Sequence, residues 1–281
     1  MNPSPAVHIT ELSPESFARF ARFITSELGI KMPESKMSMV QSRLLRRVCE
    51  LGFDSVERYG EYFFQSADAA EERIHLINAI TTNKTDFFRE PAHFDYLVDT
   101  VLPQYHEGRL KVWSAGCSSG EEPYTLAMVL SEYGRRSRGF DFSILATDVS
   151  TRVLEWAQTG IYDESAIDAI PAAFRREYLL RSKNSGQTQV RIVPGLRRKV
   201  SFHRLNFMDA EYGIRDMFDI VFFRNVMIYF DRSTQEAVIN KMCRHLVPGG
   251  FLFVGHSESL AGLDIPVMPV WASILRKAAT R

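Results

Sequence analysis

The chain has 281 residues, a length that suits one large or two modest domains. Lysine plus arginine and aspartate plus glutamate each number 34, so the formal net charge is zero, which argues against a general nucleic-acid binder. Three cysteines without a CxxC or Cys/His spacing support neither a disulfide framework nor a structural zinc site, and we expect no metal.

The start of the chain lacks the basic and apolar regions of a signal peptide. No apolar run approaches the roughly 18 residues that a membrane-spanning helix needs. We therefore expect a cytoplasmic protein without direct membrane insertion.

A helical domain is predicted over residues 1–80. Its first helix follows the capping pair Ser13-Pro14, carries apolar residues at the helical period and ends at Gly29. Three more helices are expected, at about residues 33–51, from residue 54 onward and at 69–80.

The second of these helices has a basic face, formed by Lys36, Arg43, Arg46 and Arg47. Such a run of charge is either a solvated surface or a docking surface for an acidic partner.

Residues 81–109 are predicted to form a linker and interdomain segment. Residues 81–90 gather small polar side chains around Arg89, which is unusual at such a boundary. Two interpretations stay open: a linker whose Phe87 and Phe88 pack down, or part of a functional site.

Strands and helices alternate from residue 110, which predicts parallel βαβ units in an α/β domain over residues 110–281. Strands are expected at 110–115, 142–147, 200–205, 218–223, 251–254 and 269–276. The region of about 178–204 interrupts this alternation of strands and helices. It contains short pieces of alternating polar and apolar residues at 189–193 and 199–203, and no acidic residue between 181 and 204, which suggests a small antiparallel insertion.

The turn at residues 114–123 joins a strand to a helix. Gly116 and Gly120 would allow a ligand to approach the backbone, yet the turn matches neither a P-loop nor the dinucleotide motif. The acidic pair Glu121-Glu122 would repel a phosphate and favour an ammonium or sulfonium ligand. The alternative is an ordinary capped helix whose acids complement the helix dipole.

Other polar residues follow predicted strands at the same sheet edge. Asp148 stands where an acid can accept hydrogen bonds from an adenosine ribose, or simply caps the next helix. Asn206 and Phe207 end another strand, and Phe207 covers an adenine face or belongs to the core.

The segment 218–231 is the most informative stretch. Its apolar run predicts a strand buried on both faces, which breaks into Arg224-Asn225 before Tyr229 and Asp231. Because open α/β sheets bind ligands at the carboxyl ends of their strands, these side chains are either site residues or parts of a capped loop.

Taken together, these blocks resemble the bacterial chemotaxis receptor methyltransferases, the CheR family. The matching motifs are T-x-N-x-T-x-F-F-R-E at 81–90, W-S-A-x-x-S-x-G-E-E-P-Y at 113–124, R-N-V-M-I-Y-F-D at 224–231 and G-x-x-x-x-G-H-S-E at 250–258, all following a helical N-terminal domain. The resemblance covers nearly the whole chain.

The resemblance implies a protein-glutamate O-methyltransferase that depends on S-adenosylmethionine and releases S-adenosylhomocysteine. It implies a class I methyltransferase fold, a Rossmann-like sheet with a helical N-terminal domain and a small antiparallel β insertion. The implied partner is the cytoplasmic helical domain of transmembrane chemoreceptors, which would meet the basic face of the second helix. No nucleic-acid partner is implied.

Site residues follow from the resemblance by position. The implied cofactor contacts are Asn83, Thr85, Arg89, Glu121 or Glu122, Asp148, Asn206, Phe207, Arg224 and Asn225. Arg89 and Tyr229 are implied as the catalytic pair nearest the transferred methyl group. A glutamate substrate is already ionised at neutral pH because its pKa is about 4.3, so the reaction needs no general base.

The inserted region departs from the family pattern. Its loop at 181–187 is not glycine-rich like that of relatives which bind a receptor's C-terminal peptide, so a tether of this kind is an open expectation. Two rival functions also stay open: methylation of nucleic acid or a small molecule, which the absence of an Asp/Asn-Pro-Pro-Tyr/Phe motif at 224–227 disfavours, and an adenosine-sensing module without turnover.

Overall fold

The computed structural model describes residues 12–105, 108–182, 186 and 188–279. The chain divides into two compact units, Met1–Thr82 and Asn83–Arg281. Among the described residues, we find no helix with the length and apolar character that crossing a membrane requires.

The described part of the first unit is helical, as predicted. Its helices are α1 (Pro14–Leu28), α2 (Met37–Leu51), α3 (Val56–Gln65) and α4 (Ala70–Ile80). The predicted caps of α1 are confirmed, since the Ser13 side chain accepts a hydrogen bond from the Ser16 N–H at 3.2 Å and Gly29 ends the helix with φ 68°. Helices α2 and α4 begin later than predicted because short 3-10 turns precede them.

The second unit is built on two sheets. Its strands are β1 (Arg109–Ala115), β2 (Asp141–Asp148), β3 (Ile161–Asp163), β4 (Leu179–Arg181), β5 (Gln189–Ile192), β6 (Val200–Arg204), β7 (Phe218–Phe223), β8 (Leu246–Val254), β9 (Val267–Trp271) and β10 (Ile274–Lys277). Its helices are α5 (Ala92–Tyr96), α6 (Glu121–Arg136), α7 (Thr151–Thr159), α8 (Ala172–Tyr178), α9 (Pro194–Arg197) and α10 (Arg232–Arg244).

The large sheet has the strand order β6-β2-β1-β7-β8-β10-β9. Strands β6, β2, β1, β7 and β8 run parallel, whereas β10 is antiparallel to both of its neighbours. The chain leaves β1 toward β2 and β6, and later continues on the other side from β7. The order therefore reverses between β1 and β7, which is where open α/β sheets bind ligands.

The predicted last strand, at 269–276, is wrong in detail. The structure has a hairpin of β9 and β10 there, because residues 272–273 form a turn. The piece at 199–203 is likewise not part of the insertion, since β6 pairs in parallel with β2 in the large sheet. The small antiparallel sheet has the order β3-β5-β4.

Residues 92–104, which the sequence assigns to a linker, form helical turns of the second unit. Phe94, Leu97, Val101 and Leu102 from this segment are buried in the core of that unit. The same core holds Phe222 of β7 and Phe253 of β8, whose stacked rings lie 4.3 Å apart. The segment is thereby fixed against the parallel sheet.

Candidate active site

Three polar loops meet at the carboxyl edge of the parallel strands. Asp148 at the end of β2 accepts a hydrogen bond from the Ser118 N–H, in the turn after β1, at 2.9 Å. The Ser118 hydroxyl donates to the Asn83 carbonyl at 2.9 Å, and the Phe88 N–H donates to Thr125 Oγ1 at 3.2 Å. The structure therefore joins the segment that begins at Asn83 to the turn that precedes α6.

Backbone strain concentrates at this edge. Among the described residues, positive φ outside glycine occurs at Phe88, Glu90, Ser118 and Asn225, with φ between 48° and 61°. All of these residues belong to the loops at the carboxyl edge. Non-glycine residues held in this conformation are costly and cluster at functional sites, so the strain marks the same place as the side chains.

A side chain has no room at either Gly116 or Gly120. A Cβ at Gly120 would lie 2.8 Å from the Tyr162 hydroxyl and 2.9 Å from the Ala157 Cβ, and one at Gly116 would lie 2.5 Å from a methyl carbon of Val226. Both glycines also have positive φ. They are needed for packing within this chain.

Arg224 lies at the centre of a buried ion network. Its side chain is 2% exposed and donates to Glu90 Oε2 at 3.0 Å and to Glu122 Oε2 at 3.1 Å. It also donates to the Arg89 carbonyl. The sequence places Arg224 correctly at the end of a buried strand, but its guanidinium is occupied by groups of the protein.

The two glutamates of the α6 N-terminus have different surroundings. Glu122 accepts hydrogen bonds from Ser114 and Arg224, whereas Glu121 accepts one from the Ser119 hydroxyl at 2.7 Å. Burial raises the pKa of both carboxyls, and Arg224 opposes this rise at Glu122. Burial also raises the pKa of Asp148, which the Ser118 and Ser150 N–H groups oppose.

Asn206 and Phe207 follow β6 at the same edge, and both are nearly buried. Asn206 Oδ1 accepts the Met208 N–H at 3.0 Å, and the Phe207 ring lies 5.0 Å from the Phe223 ring. Phe207 is thus in contact with the core that supports the edge.

Arg89 and Tyr229, the predicted catalytic pair, are both partly exposed. Arg89 donates to the Lys84 carbonyl at 3.3 Å, and Tyr229 ends the 3-10 turn Met227–Tyr229 that follows Asn225. Thr85 and Asn83 precede Arg89 and are also partly exposed.

Two acidic residues in the quoted motifs received no role from the sequence. Glu90 accepts hydrogen bonds from Arg224, from Asn225 Nδ2 at 3.3 Å and from the His256 N–H at 3.3 Å. Glu258 accepts backbone N–H groups of the loop that follows β7. Their position at the end of two of the quoted motifs was the available signal, but it did not reveal their partners.

His93 is a further buried group that sequence reasoning missed. Its Nε2 lies 2.6 Å from the Ser273 hydroxyl, and its Nδ1 lies 3.4 Å from Glu90 Oε2. Ligand-type atoms of Glu90, His93 and His256 lie within 4.8 Å of one another. The positive charge of Arg224 on the same Glu90 oxygen disfavours a metal cation here.

The buried imidazole of His93 predicts a loss of stability in mild acid. Burial and then the charge of Arg224 lower the pKa of His93 to about 3, against about 6.5 in the unfolded chain. The unfolded chain therefore binds the extra proton below about pH 6.5, and stability falls as the pH drops from there toward 3. Between pH 7 and 5, His93 should remove about 2 kcal/mol from the free energy of unfolding. Urea unfolding at both pH values measures the free energy of unfolding that is lost between pH 7 and 5. This loss should be about 2 kcal/mol smaller in His93→Gln than in the wild type, and equal losses would contradict the buried neutral state of His93.

Two arginines of the predicted basic face of α2 have partners within the helical unit. Arg43 donates to the Ala79 and Thr81 carbonyls at the end of α4, and Arg47, whose side chain is 13% exposed, pairs with the buried Glu72. The last carbonyls of α4 and its buried acid need such partners, because unpaired polar groups are costly away from water. Arg43 and Arg47 therefore stabilise the helical unit, whereas Arg46 is exposed and Lys36 is partly exposed.

The small sheet of the second unit presents an exposed face. Ile161 and Leu180 lie opposite Arg191 on its two sides, and all three are exposed. The loop at 181–187, on which the expectation about a tether rests, lies largely outside the described residues.

The fold and this site define a class I methyltransferase, an enzyme that uses S-adenosylmethionine. The strand order, with its reversal between β1 and β7 and an antiparallel β10, places the loops around a site rich in carboxylates. A cofactor that carries an ammonium and a sulfonium fits such a donor set, whereas a nucleoside triphosphate does not.

The chain belongs to the CheR methyltransferase family. Residues 15–81 match the all-alpha domain of that family, and residues 83–270 match its SAM binding domain. The chemotaxis protein methyltransferase of Borreliella burgdorferi is 38% identical over 259 residues, which cover 89% of this chain and 90% of that protein. The chemotaxis protein methyltransferase of Salmonella typhimurium is 37% identical over 252 residues, which cover 90% of this chain and 86% of that protein.

Proposed function

We propose that this enzyme methylates the side-chain carboxylate of specific glutamates on chemoreceptors and so adjusts receptor signalling during chemotactic adaptation. The relatives named above are chemotaxis protein methyltransferases. The observation that carries the proposal is the mixed charge of the carboxyl edge. Buried carboxylates suit a cationic cofactor, and the partly exposed Arg89 and Tyr229 are donors that suit an anionic substrate.

We assign the cofactor contacts to the residues gathered at this edge. Asp148 would accept from the ribose hydroxyls, with Asn206 and Phe207 beside it, and Glu121 and Glu122 would face the cationic amino-acid end. Asn83, Thr85, Arg89 and Asn225 complete the set. Arg224 contributes by holding Glu90, Glu122 and the Arg89 carbonyl in place.

S-adenosylmethionine, when bound, supplies a methyl group that its sulfonium makes electrophilic. The chain has no proton to remove, because a substrate glutamate with a pKa of about 4.3 is ionised at neutral pH. Its task is to hold the carboxylate oxygen in line with the methyl group, which is catalysis by orientation. Arg89 and Tyr229 would do this by donating hydrogen bonds to the carboxylate.

Methyl transfer to receptors tests the proposed function directly. Purified protein, S-adenosylmethionine with a tritiated methyl group and membranes that contain chemoreceptors should give base-labile label on receptor glutamates. Membranes whose receptors carry glutamine at those positions are the control, because the amide lacks the nucleophilic carboxylate. Label on nucleic acid or on a small molecule would overturn the proposal, and so would tight cofactor binding without any transfer.

In the cytoplasm, two surfaces of this protein are proposed to contact the receptor. The surface of α2 would meet the helical domain of the receptor, and the exposed face of the small sheet could take a receptor C-terminal peptide. The face with Ile161, Leu180 and Arg191 offers apolar side chains beside a cation, which suits a peptide with apolar and acidic residues. Receptors that lack their C-terminal tails should then be methylated more slowly, and equal rates would remove this second contact.

Charge reversal at Arg46 tests the α2 surface. The Arg46 side chain is 72% exposed and pairs with Glu50 one turn away at 3.1 Å. Arg46→Glu should raise the KM for receptor about 10-fold with little change in kcat, because surface charge acts mainly on encounter and register. Arg58 on α3 is 70% exposed and pairs with Asp54 one turn away, so Arg58→Glu is a matched control. Equal effects of the two variants would contradict an α2 docking surface.

Substitution of Asp148 tests the ribose end. Asp148→Ala should weaken the binding of S-adenosylhomocysteine by about 1–3 kcal/mol through lost hydrogen bonds. It also deprives the Ser118 and Ser150 N–H groups of their acceptor, so Asp148→Asn, which keeps one acceptor, should be measured beside it. Calorimetric Kd values decide the matter, and unchanged affinity in both variants would exclude Asp148 from the cofactor site.

A further inference from the structure

Glu258 is an acid whose partners are backbone N–H groups. Its Oε2 accepts the Gly255 N–H at 2.7 Å and the Asn225 N–H at 2.8 Å, and its Oε1 faces the Ile228 N–H at 3.4 Å. The residue is 9% exposed. Burial raises the pKa of its carboxyl, and the backbone donors oppose this rise. The carboxylate thus connects the loop after β8 to the loop after β7.

The two loops meet so closely that Gly255 has no room for a side chain. A Cβ there would lie 2.9 Å from Glu258 Oε2 and 2.5 Å from Asn225 Nδ2. Gly255 is absent from the residues with positive φ, so the reason for glycine is space. The contact between Glu258 and the loop is therefore built into the backbone.

Asn225 is held from a second side as well. Its φ of 61° is left-handed, and its side-chain amide donates to Glu90 Oε1 at 3.3 Å. The turn Met227–Tyr229 begins two residues later, and the Ile228 N–H that faces Glu258 belongs to it. One carboxylate therefore fixes both the strained residue and the turn that carries Tyr229.

We propose that Glu258 is a positioning residue for methyl transfer, which holds the backbone of residues 225–229 so that Tyr229 meets the substrate carboxylate. The inference rests on the proposed function and deepens it. Charge-assisted hydrogen bonds to backbone N–H groups are about twice as strong as neutral ones, and a displacement of about 1 Å in a catalytic group can cost about 100-fold in rate. A carboxylate that binds the backbone of the loop can thereby control turnover.

Glu258→Gln changes this contact with little change of shape. The amide oxygen would stay on the two short bonds to Gly255 and Asn225. The amide NH₂ would then face the Ile228 N–H, a donor against a donor. The disturbance falls on the turn of Tyr229, so we expect kcat to fall about 10- to 100-fold while the Kd of S-adenosylhomocysteine changes less than about 5-fold. Ser257→Ala, at the exposed neighbouring residue, is the control and should leave both quantities unchanged.

A double-mutant cycle separates positioning from general structural damage. If Glu258 acts through Tyr229, Glu258→Gln should lower kcat far less in a Tyr229→Phe background than in the wild type. The cycle of Glu258→Gln with Asp148→Asn should instead give effects on kcat/KM that multiply. Effects that multiply in the Tyr229 cycle as well, or an unchanged kcat in Glu258→Gln, would overturn the inference.

A readout without a receptor keeps the inference separate from the proposed function. Amide hydrogen exchange of the whole protein should be faster at residues 225–229 in Glu258→Gln, with the rest of the sheet unit unchanged. Gly255→Ala, which inserts a Cβ between Glu258 and Asn225, should have the same local effect and serves if the first variant folds poorly. A wild-type protein that methylates no receptor overturns the proposed function alone, whereas unchanged exchange at 225–229 in both variants overturns the role of Glu258.

Discussion

Replacing Arg224 by alanine should lower the free energy of unfolding of the sheet unit by about 3–5 kcal/mol at pH 7. The substitution leaves the carboxylates of Glu90 and Glu122 next to each other without the guanidinium that bonds to both. It also removes a donor from the Arg89 carbonyl. Removing one partner of a buried ion pair is far more costly than the pair is stabilising, because an uncompensated charge remains. Urea unfolding of the wild type and the variant measures the loss.

The loss should depend on pH with a definite sign. Burial pushes the pKa of Glu90 up, but the charge and hydrogen bonds of Arg224 outweigh it, so the pKa lies below its usual range. A lowered pKa stabilises the fold above the unfolded value of about 4.3 and loses that contribution as the pH falls. The difference between wild type and variant should therefore shrink in acid. Arg181→Ala, at the exposed pair with Glu164, should change stability little, and an equally small effect of Arg224→Ala would contradict the buried network.

Strand β7 shows which features the sequence predicts and which it does not. Its uninterrupted apolar run predicted a strand buried on both faces, and the strand spans Phe218–Phe223 with its last residues buried. The polar residues at its end lie at the carboxyl edge of the sheet, as predicted, and their role in a site stays a proposal. Glu90, one of the two acids that bind Arg224, lies 134 positions earlier in the chain, and no local pattern specifies such a pairing.

The partners of the basic residues of α2 were not predictable for a related reason. A helical pattern tells which residues share a face, but not which helix packs against it. Arg43 and Arg47 lie toward α4, where they meet helix-end carbonyls and the buried Glu72, and only Arg46 of these three is mostly exposed. Charge alone therefore does not tell which residues of a basic run have partners within the helical unit.

The positions of non-glycine residues with a left-handed backbone could not be predicted from the sequence. Asparagine tolerates a positive φ better than most residues, but nothing in the local sequence of Asn225 or Glu90 demands one. At Asn225 the backbone N–H is held by Glu258. Strain of this kind is supported by tertiary contacts, so its position becomes visible only in the folded structure.

Replacing Tyr229 by phenylalanine should lower kcat by about 10- to 150-fold while cofactor affinity stays nearly unchanged. The change removes the hydroxyl alone, so the turn Met227–Tyr229 and its contacts with Glu258 are kept. A hydrogen bond to a charged group contributes about 1.5–3 kcal/mol, and in our proposal Tyr229 donates one to the substrate carboxylate. The effect should appear in turnover because the bond orients the nucleophile and does not hold the cofactor.

The measurement pairs receptor methylation rates at saturating substrate with calorimetric Kd values for S-adenosylhomocysteine. Tyr133→Phe is a suitable control, because Tyr133 is also a partly buried tyrosine but lies on α6, where its ring packs on Phe140. Tyr133→Phe should leave both quantities as in the wild type. Equal losses in affinity and turnover for Tyr229→Phe would instead place Tyr229 in the cofactor site. A hydrogen bond to the substrate carboxylate has no effect on the binding of S-adenosylhomocysteine alone, so a loss of that affinity would mean that Tyr229 contacts the cofactor.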